Sequence, residues 1–245
     1  MSTSRRLLLS SVLLVAATGA HAQMFSNSTV GSGQLASESR TPGAFGAVLA
    51  SGAIDLVVRQ GDRDMVDLRA DDNLLPLLET VVEDRRGGRT LVVRWKRGES
   101  VRTRNKVQVT VTALRLSSIA IEGAGDILVE KMESPQLTLT ISGAGDMKAR
   151  QLKTDELSVR IAGSGDLQAA GSAGRLSVNI AGSGDVNTLD LAADDVKVSI
   201  AGSGDAAIQA NKSLHASIAG SGDVSYVGQA AMTKSVVGSG SVRRR

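Results

Sequence analysis

The sequence predicts an all-β protein: a right-handed parallel β-helix, or solenoid, with coils of about 20 residues and a β-rich capping region at its N-terminal end. Three observations predict it. A Gly-Ala/Ser-Gly-Asp tetrapeptide occurs six times in the second half of the chain. Its aspartates are Asp126, Asp146, Asp166, Asp185, Asp205 and Asp223, at intervals of 20, 20, 19, 20 and 18 residues. Ahead of these tetrapeptides, apolar and polar residues alternate as in a strand with one buried face. Finally, only four aromatic residues occur, Phe25, Phe45, Trp95 and Tyr226, which suits a core too narrow for rings. A repeat this short cannot bury a hydrophobic face alone, so its copies must stack.

In chain order, residues 1–22 read as a signal peptide. Arg5 and Arg6 precede an apolar run from Leu7 to Ala17, and Ala20-His21-Ala22 is a small-x-small site with cleavage after Ala22. The paired arginines also fit a loose twin-arginine pattern, so export either before or after folding stays open. The apolar run is too short to span a membrane and no later segment does so. With no cysteine anywhere, the exported product has neither disulfides nor a lipid-acceptor thiol. The expected location is periplasmic or extracellular, including the cell surface.

Residues 23–43 are polar and rich in Ser, Gly and Thr, and are expected to be a flexible leader. Residues 44–116 form the N-terminal β-rich part, with strand-like runs at Val48 to Val58, Met65 to Arg69, Leu91 to Trp95 and Val107 to Val111. Asp71-Asp72-Asn73 ahead of four leucines reads as a capped helical turn, with Pro76 tolerable in the first turn. Arg86-Gly87-Gly88-Arg89 reads as a hairpin tip.

From residue 117 to 245 the repeat takes over, and 44–242 is expected to be one continuous domain. Before each glycine corner from Gly143 to Gly220 three apolar side chains share a face, for example Leu157, Val159 and Ile161, or Leu176, Val178 and Ile180. A shorter alternation follows each aspartate, such as Met147 and Ala149. Each repeat is therefore expected to be two strands joined at the glycine corner and closed by a looser loop. The corner needs glycine for positive φ or close backbone approach. A seventh copy, Gly238-Ser239-Gly240-Ser241, carries serine in the acidic position.

The ordered set of motifs resembles the head GIN domain family, whose label is auto-transporter adhesin. The resemblance rests on Phe45 to Gln60 with Val57-Val58-Arg59-Gln60-Gly61, on Asp72-Asn73-Leu74-Leu75, on the Gly-x-Gly-Asp ladder, on Asp223-Val224-Ser225-Tyr226-Val227-Gly228, and on the closing Gly238 to Val242. It implies a secreted β-helical domain. The chain departs from an auto-transporter plan in ending on Arg243-Arg244-Arg245, without room for a membrane barrel.

Functional candidates are few. The six aspartates, stacked in register, would form a row of carboxylates about 4.8 Å apart. Such a row either accepts hydrogen bonds from turn N–H groups or binds Ca²⁺, which takes six or more oxygens. The nine-residue calcium solenoid motif does not match it. A basic stretch, Arg85, Arg86, Arg89, Arg94, Lys96 and Arg97, continuing through Arg102, Arg104 and Lys106, is either an anion-attracting patch beside Trp95 or a solvated hairpin face paired with local acids. His215, the one histidine after the signal, has no sequence partners for a metal site or triad. Without Arg5 and Arg6 the chain carries 26 basic and 25 acidic residues, so nucleic acid is not an expected partner. No cofactor is expected.

The reading is thus an exported, non-enzymatic binding or adhesin-like protein, with glycans or envelope components as possible partners. Two alternatives stay open. One is a polysaccharide-active enzyme using clustered aspartates, although no Lys or Arg interleaves the glycine corners. The other is a structural or assembly module.

Overall fold

In a computed structural model, residues 28–245 are described. The signal segment, its cleavage after Ala22 and the start of the leader lie outside the described residues. The chain is a β-solenoid of about six turns, with stacked coils of about 20 residues. The glycine that opens each corner sits in one column. Gly52, Gly123, Gly143, Gly163, Gly182, Gly202, Gly220 and Gly238 pair in parallel register from coil to coil.

The coils over residues 127–182 are more continuous than the expected pair of strands with a loose closing loop, whereas the later coils keep the expected pair, Val186–Thr188 with Leu191–Gly202, Ala206–Gln209 with Ser213–Gly220, and Val224–Val227 with Ala231–Gly238. Strands run unbroken over Ile127–Gly143, Met147–Gly163 and Leu167–Gly182. The alternation of buried residues shifts by one after Val129 and again before Leu137, dividing the coil into three inward-facing stretches. The extra stretch buries Met132, Leu152, Ala173 and Leu191, which is why it pairs as a ladder instead of looping out. A buried backbone must satisfy its N–H and C=O groups, and the neighbouring coils supply the partners.

The core is a set of aliphatic columns. Val48, Ile119, Leu139, Val159, Val178, Val198 and Ala216 stack in register and are essentially fully buried. Full burial of each Val, Leu or Ile contributes about 1.5–3 kcal/mol. That supplies the driving force that a single coil lacks.

The N-terminal β-rich region forms the expected cap. Ala47–Gly52 and Asp55–Gln60 make the first coil, and the chain then leaves the solenoid before returning at Ser118–Gly123. Beneath the first coil lie Gly88–Trp95 and Gln108–Ala113, both still parallel to it. Their far sides pair antiparallel, with Leu78–Arg85 and Met65–Asp71 respectively. Residues 86 and 87 turn the hairpin, with Gly87 at φ 108°. The helical turn is a 3-10 helix at Leu75–Leu77, and no side chain caps it.

Residues 28–40 correct the expected flexible leader. Ser28–Val30 pairs in parallel with Ser100–Arg102, and Leu35–Arg40 pairs antiparallel with Met65–Asp71. The residues expected to cap the helical turn are used here instead. Asn73 Oδ1 accepts the Ser32 N–H at 2.9 Å, its Nδ2 donates to the Val30 carbonyl at 2.9 Å, and Asp72 Oδ1 accepts from Ser32 Oγ at 2.5 Å. Composition marked the segment as polar, and its order comes from tertiary partners that composition does not show.

Candidate functional site: the aspartate ladder and the outer faces

The corner geometry begins with two glycines doing different work. Gly163 has φ 137°, and a Cβ there would lie 2.1 Å from the Gly143 carbonyl oxygen. Gly165 is excluded from bearing a side chain by approach alone, since its Cβ would meet the Gly145 oxygen at 2.1 Å and Ile141 Cγ2 at 2.9 Å. This tight stacking carries the next residue, aspartate, to the outer surface above its counterpart one coil back.

There the aspartates form a continuous hydrogen-bonded chain. The N–H of Asp146 donates to Asp126 Oδ1 at 3.2 Å, Asp166 to Asp146 at 2.9 Å, and Asp185 to Asp166 at 2.8 Å. Asp205 donates to Asp185, and Asp223 to Asp205, each at 2.8 Å. The carbonyl of each aspartate serves a different neighbour: Ile127 N–H donates to Asp146 O, and Met147 N–H to Asp166 O, both at 2.8 Å. One short acidic side chain therefore closes the backbone ladder at a corner where the main chain alone leaves an N–H to be met.

The ladder starts one coil earlier than the tetrapeptide count shows. Asp126 N–H donates to Asp55 Oδ1 at 3.0 Å. Asp55 closes Gly52-Ala53-Ile54-Asp55, a copy with isoleucine in the second glycine position, separated from the next by the cap. The signal that could have found it is the Gly-Ala-x-Asp spacing ahead of an alternating run.

Both ends of the ladder meet cations. Lys106 Nζ lies 2.8 Å from Asp55 Oδ2, and this bond raises the lysine above its ordinary pKa, with Asp126 adding to the effect. At the other end Ser241 donates both its Oγ, at 2.9 Å, and its N–H, at 2.8 Å, to Asp223 Oδ1. Those two bonds, assisted by Arg243, hold the Asp223 carboxyl below its ordinary pKa. Between the ends, no ion pair reaches Asp126, Asp146, Asp166, Asp185 or Asp205 among the described residues. Nor do three His, Cys, Asp or Glu side chains converge there into a group suited to a metal ion. The carboxylates are distributed one per coil, whereas calcium coordination needs many oxygens around one point.

The basic stretch is not a single patch. Arg94 bridges Glu79 at 3.0 Å and Glu83 at 2.8 Å, and Arg85 pairs with Glu83 at 3.2 Å. Arg86 and Arg89 stand exposed near the hairpin tip, whereas Lys96 and Arg97 are exposed at its opposite end. Seven residue steps along extended chain separate Arg89 from Lys96, roughly 23 Å. Arg102 and Arg104 line a separate cavity of about 380 Å³ with Gly31 and Asp71. Trp95 is half-buried against the core, so its ring is not a free platform. In that cavity Asp71 is buried, accepting from Thr103 Oγ1 at 2.6 Å and from the Asn105 amide, and these bonds with the Gly33 N–H keep its carboxyl below the usual range.

The outward positions of the solenoid strands carry mostly short polar side chains in register. Thr140, Arg160, Asn179, Ser199, Ser217 and Ser235 form one such column. His215 stands in the adjacent column between Lys197 and Thr233, exposed. Sequence reasoning missed a concavity on another side. A groove of about 570 Å³ runs across successive coils past Glu133, Lys153, Asp155, Gly174, Asp194 and Asn211. A second, of about 500 Å³, shares Glu133, Ser134 and Pro135 with it and extends it to Gln60 and Arg115.

No curated protein matches the chain. Among solved structures, it is similar to a "putative adhesin" of Bacteroides fragilis at 24% identity, with a TM-score of 0.81 over 89% of this chain and 100% of that one. A "putative adhesin" of Parabacteroides merdae is 25% identical, with a TM-score of 0.69 over 89% and 98% of the two chains. A "putative lipid binding protein" of Parabacteroides distasonis is 26% identical, with a TM-score of 0.70 over 89% and 99%. The family model described as "Putative auto-transporter adhesin, head GIN domain" matches residues 44–230, from the first coil to beyond the last aspartate of the ladder, and the chain belongs to that family.

Proposed function

We propose that this protein is an exported, non-enzymatic binding module of the cell envelope or cell surface, in which the aspartate ladder holds the solenoid together and the outer faces meet the ligand. The observation that carries this reading is the commitment of each ladder Oδ1 to the N–H of the next coil. An Oδ1 used in this way is engaged by the backbone, whereas a general acid or base must meet the proton it transfers. The adhesin names of the family and of the similar structures agree with a binding role. The two adjoining grooves favour an extended polar ligand lying along the solenoid axis, such as a glycan chain of the envelope. Their walls present Glu133, Lys153, Asp155 and Asn211 as hydrogen-bonding groups.

A glycan array probed with the purified protein, run beside a polysaccharide cleavage screen, tests this reading. Binding without cleavage is expected, and Ser172→Trp, which fills the groove from an exposed position, should abolish it. Cleavage of any polysaccharide by wild type, or binding unaffected by the tryptophan, would overturn it. Export is tested separately by fractionating cells that express the full chain, where a mature N-terminus at Gln23 is expected.

A further inference from the structure

The last coil breaks the rules that the coils before it obey. Ala231–Gly238 pairs with Ser213–Gly220 on one side, and Val242–Arg244 with Val224–Val227 on one side. Among the described residues neither has a strand on its other side, so the solenoid ends in an open edge of N–H and C=O groups. Such an edge is a template for another strand.

Three changes in the sequence coincide there. The inward column that runs through Val159, Val178, Val198 and Ala216 ends in Lys234, in register with Ala216 and exposed. The ladder ends in Ser241, so no carboxylate waits for the corner N–H of a further coil. Beyond Asp223 the chain has four basic residues, Lys234, Arg243, Arg244 and Arg245, and no acidic one. Apolar surface persists beside them, with Val237 72% and Met232 37% exposed.

We propose that the C-terminal edge is a charge-selective docking strand. It refuses a second copy of this chain and takes an extended segment that brings a carboxylate to Lys234. An inward-pointing charge on an edge strand penalises any strand that would bury it without a counter-charge. Two copies meeting edge to edge around a two-fold axis would bring Lys234, near the middle of its strand, close to its own image. An acidic strand instead pairs with the ammonium while the backbone gains its hydrogen bonds and Met232, in register with buried Leu214, gains cover.

The probe for such an acidic strand is the chain itself bearing Lys234→Glu. Molar masses are read by light scattering on wild type, Lys234→Glu, their equimolar mixture, Lys234→Ile and Thr233→Ile. Wild type and Lys234→Glu should each be monomeric, and their mixture should form a one-to-one pair that dissociates at high salt. Lys234→Ile should self-associate, because it completes the apolar column at the open end. Thr233→Ile, equally apolar but outward-facing, should stay monomeric. Self-association of wild type, a mixture that stays monomeric, a monomeric Lys234→Ile or association of both isoleucine variants would each overturn the proposal. Melting curves identify any variant that has lost its fold; Lys234→Ile unfolding would itself contradict the placement of residue 234 over the core column.

Discussion

Replacing one interior aspartate tests whether the ladder is structural. Asp166 accepts the Asp185 N–H at 2.8 Å and stands one coil from Asp146 and from Asp185. At a strand spacing of about 4.8 Å, each like-charged neighbour costs about 0.9 kcal/mol at the dielectric of water. Removing the charge at residue 166 therefore relieves about 1.7 kcal/mol. Against this, a charged acceptor contributes about 1.5–3 kcal/mol and a neutral one about 0.5–1.5. Asp166→Asn, which keeps the acceptor oxygen, should then lie within about 1 kcal/mol of wild type, on the stable side. Asp166→Ala relieves the same repulsion but leaves the Asp185 N–H to water. It should lie about 1 kcal/mol below the asparagine variant, a gap of about 2–4 °C in Tm for a chain of this size.

Thermal melts at low and high salt, each with calcium and with chelator, read all of this. Salt should raise wild type more than Asp166→Asn, because screening acts on the repulsion. Equal melting of the Asn and Ala variants would refute the hydrogen-bond argument. A calcium-dependent rise in wild type that shrinks in Asp166→Asn would make the ladder a metal site. Mass action sets that rise at about 2.7 kcal/mol for calcium at a hundredfold excess over its Kd.

Other expectations follow from the same geometry. Thr188 is fully buried and its hydroxyl has no partner among the described residues, so Thr188→Val should stabilise by about 1 kcal/mol in denaturant titration, and a loss would show that the hydroxyl is satisfied. Ile180 is 2% exposed and Asn179 faces out. Ile180→Asp should therefore cost several kcal/mol and Asn179→Asp little, and equal losses in melting would mean the faces are reversed. Asp71 and Asp223 are held below their ordinary pKa, so their contributions are full above the unfolded carboxylate value of about 3.9 and fade as pH falls through the lowered folded values. A pH series of melts should show the loss beginning below about pH 4, less steeply in Asp223→Asn, and identical slopes would contradict the role of Ser241.

Much of the architecture was legible because a solenoid is written locally. The 18–20-residue interval, the alternation through Leu176, Val178 and Ile180, and the paired glycines each state a rule that a neighbouring coil repeats, so reading one coil reads its contacts. The outward row of aspartates followed from the same register. What the sequence could not display were pairings that repeat nowhere. Asp55 belongs to the ladder only because the cap folds beneath the first coil and returns the chain above it, 71 residues on. Residues 28–40 are ordered by Asp72, Asn73 and the Met65–Asp71 strand, which their own composition does not announce. The basic stretch, continuous in sequence, is pulled apart by a hairpin and partly neutralised by Glu79 and Glu83. Periodic contacts are encoded in spacing, whereas contacts between unlike segments depend on where the whole chain has packed, and only the tertiary structure settles those.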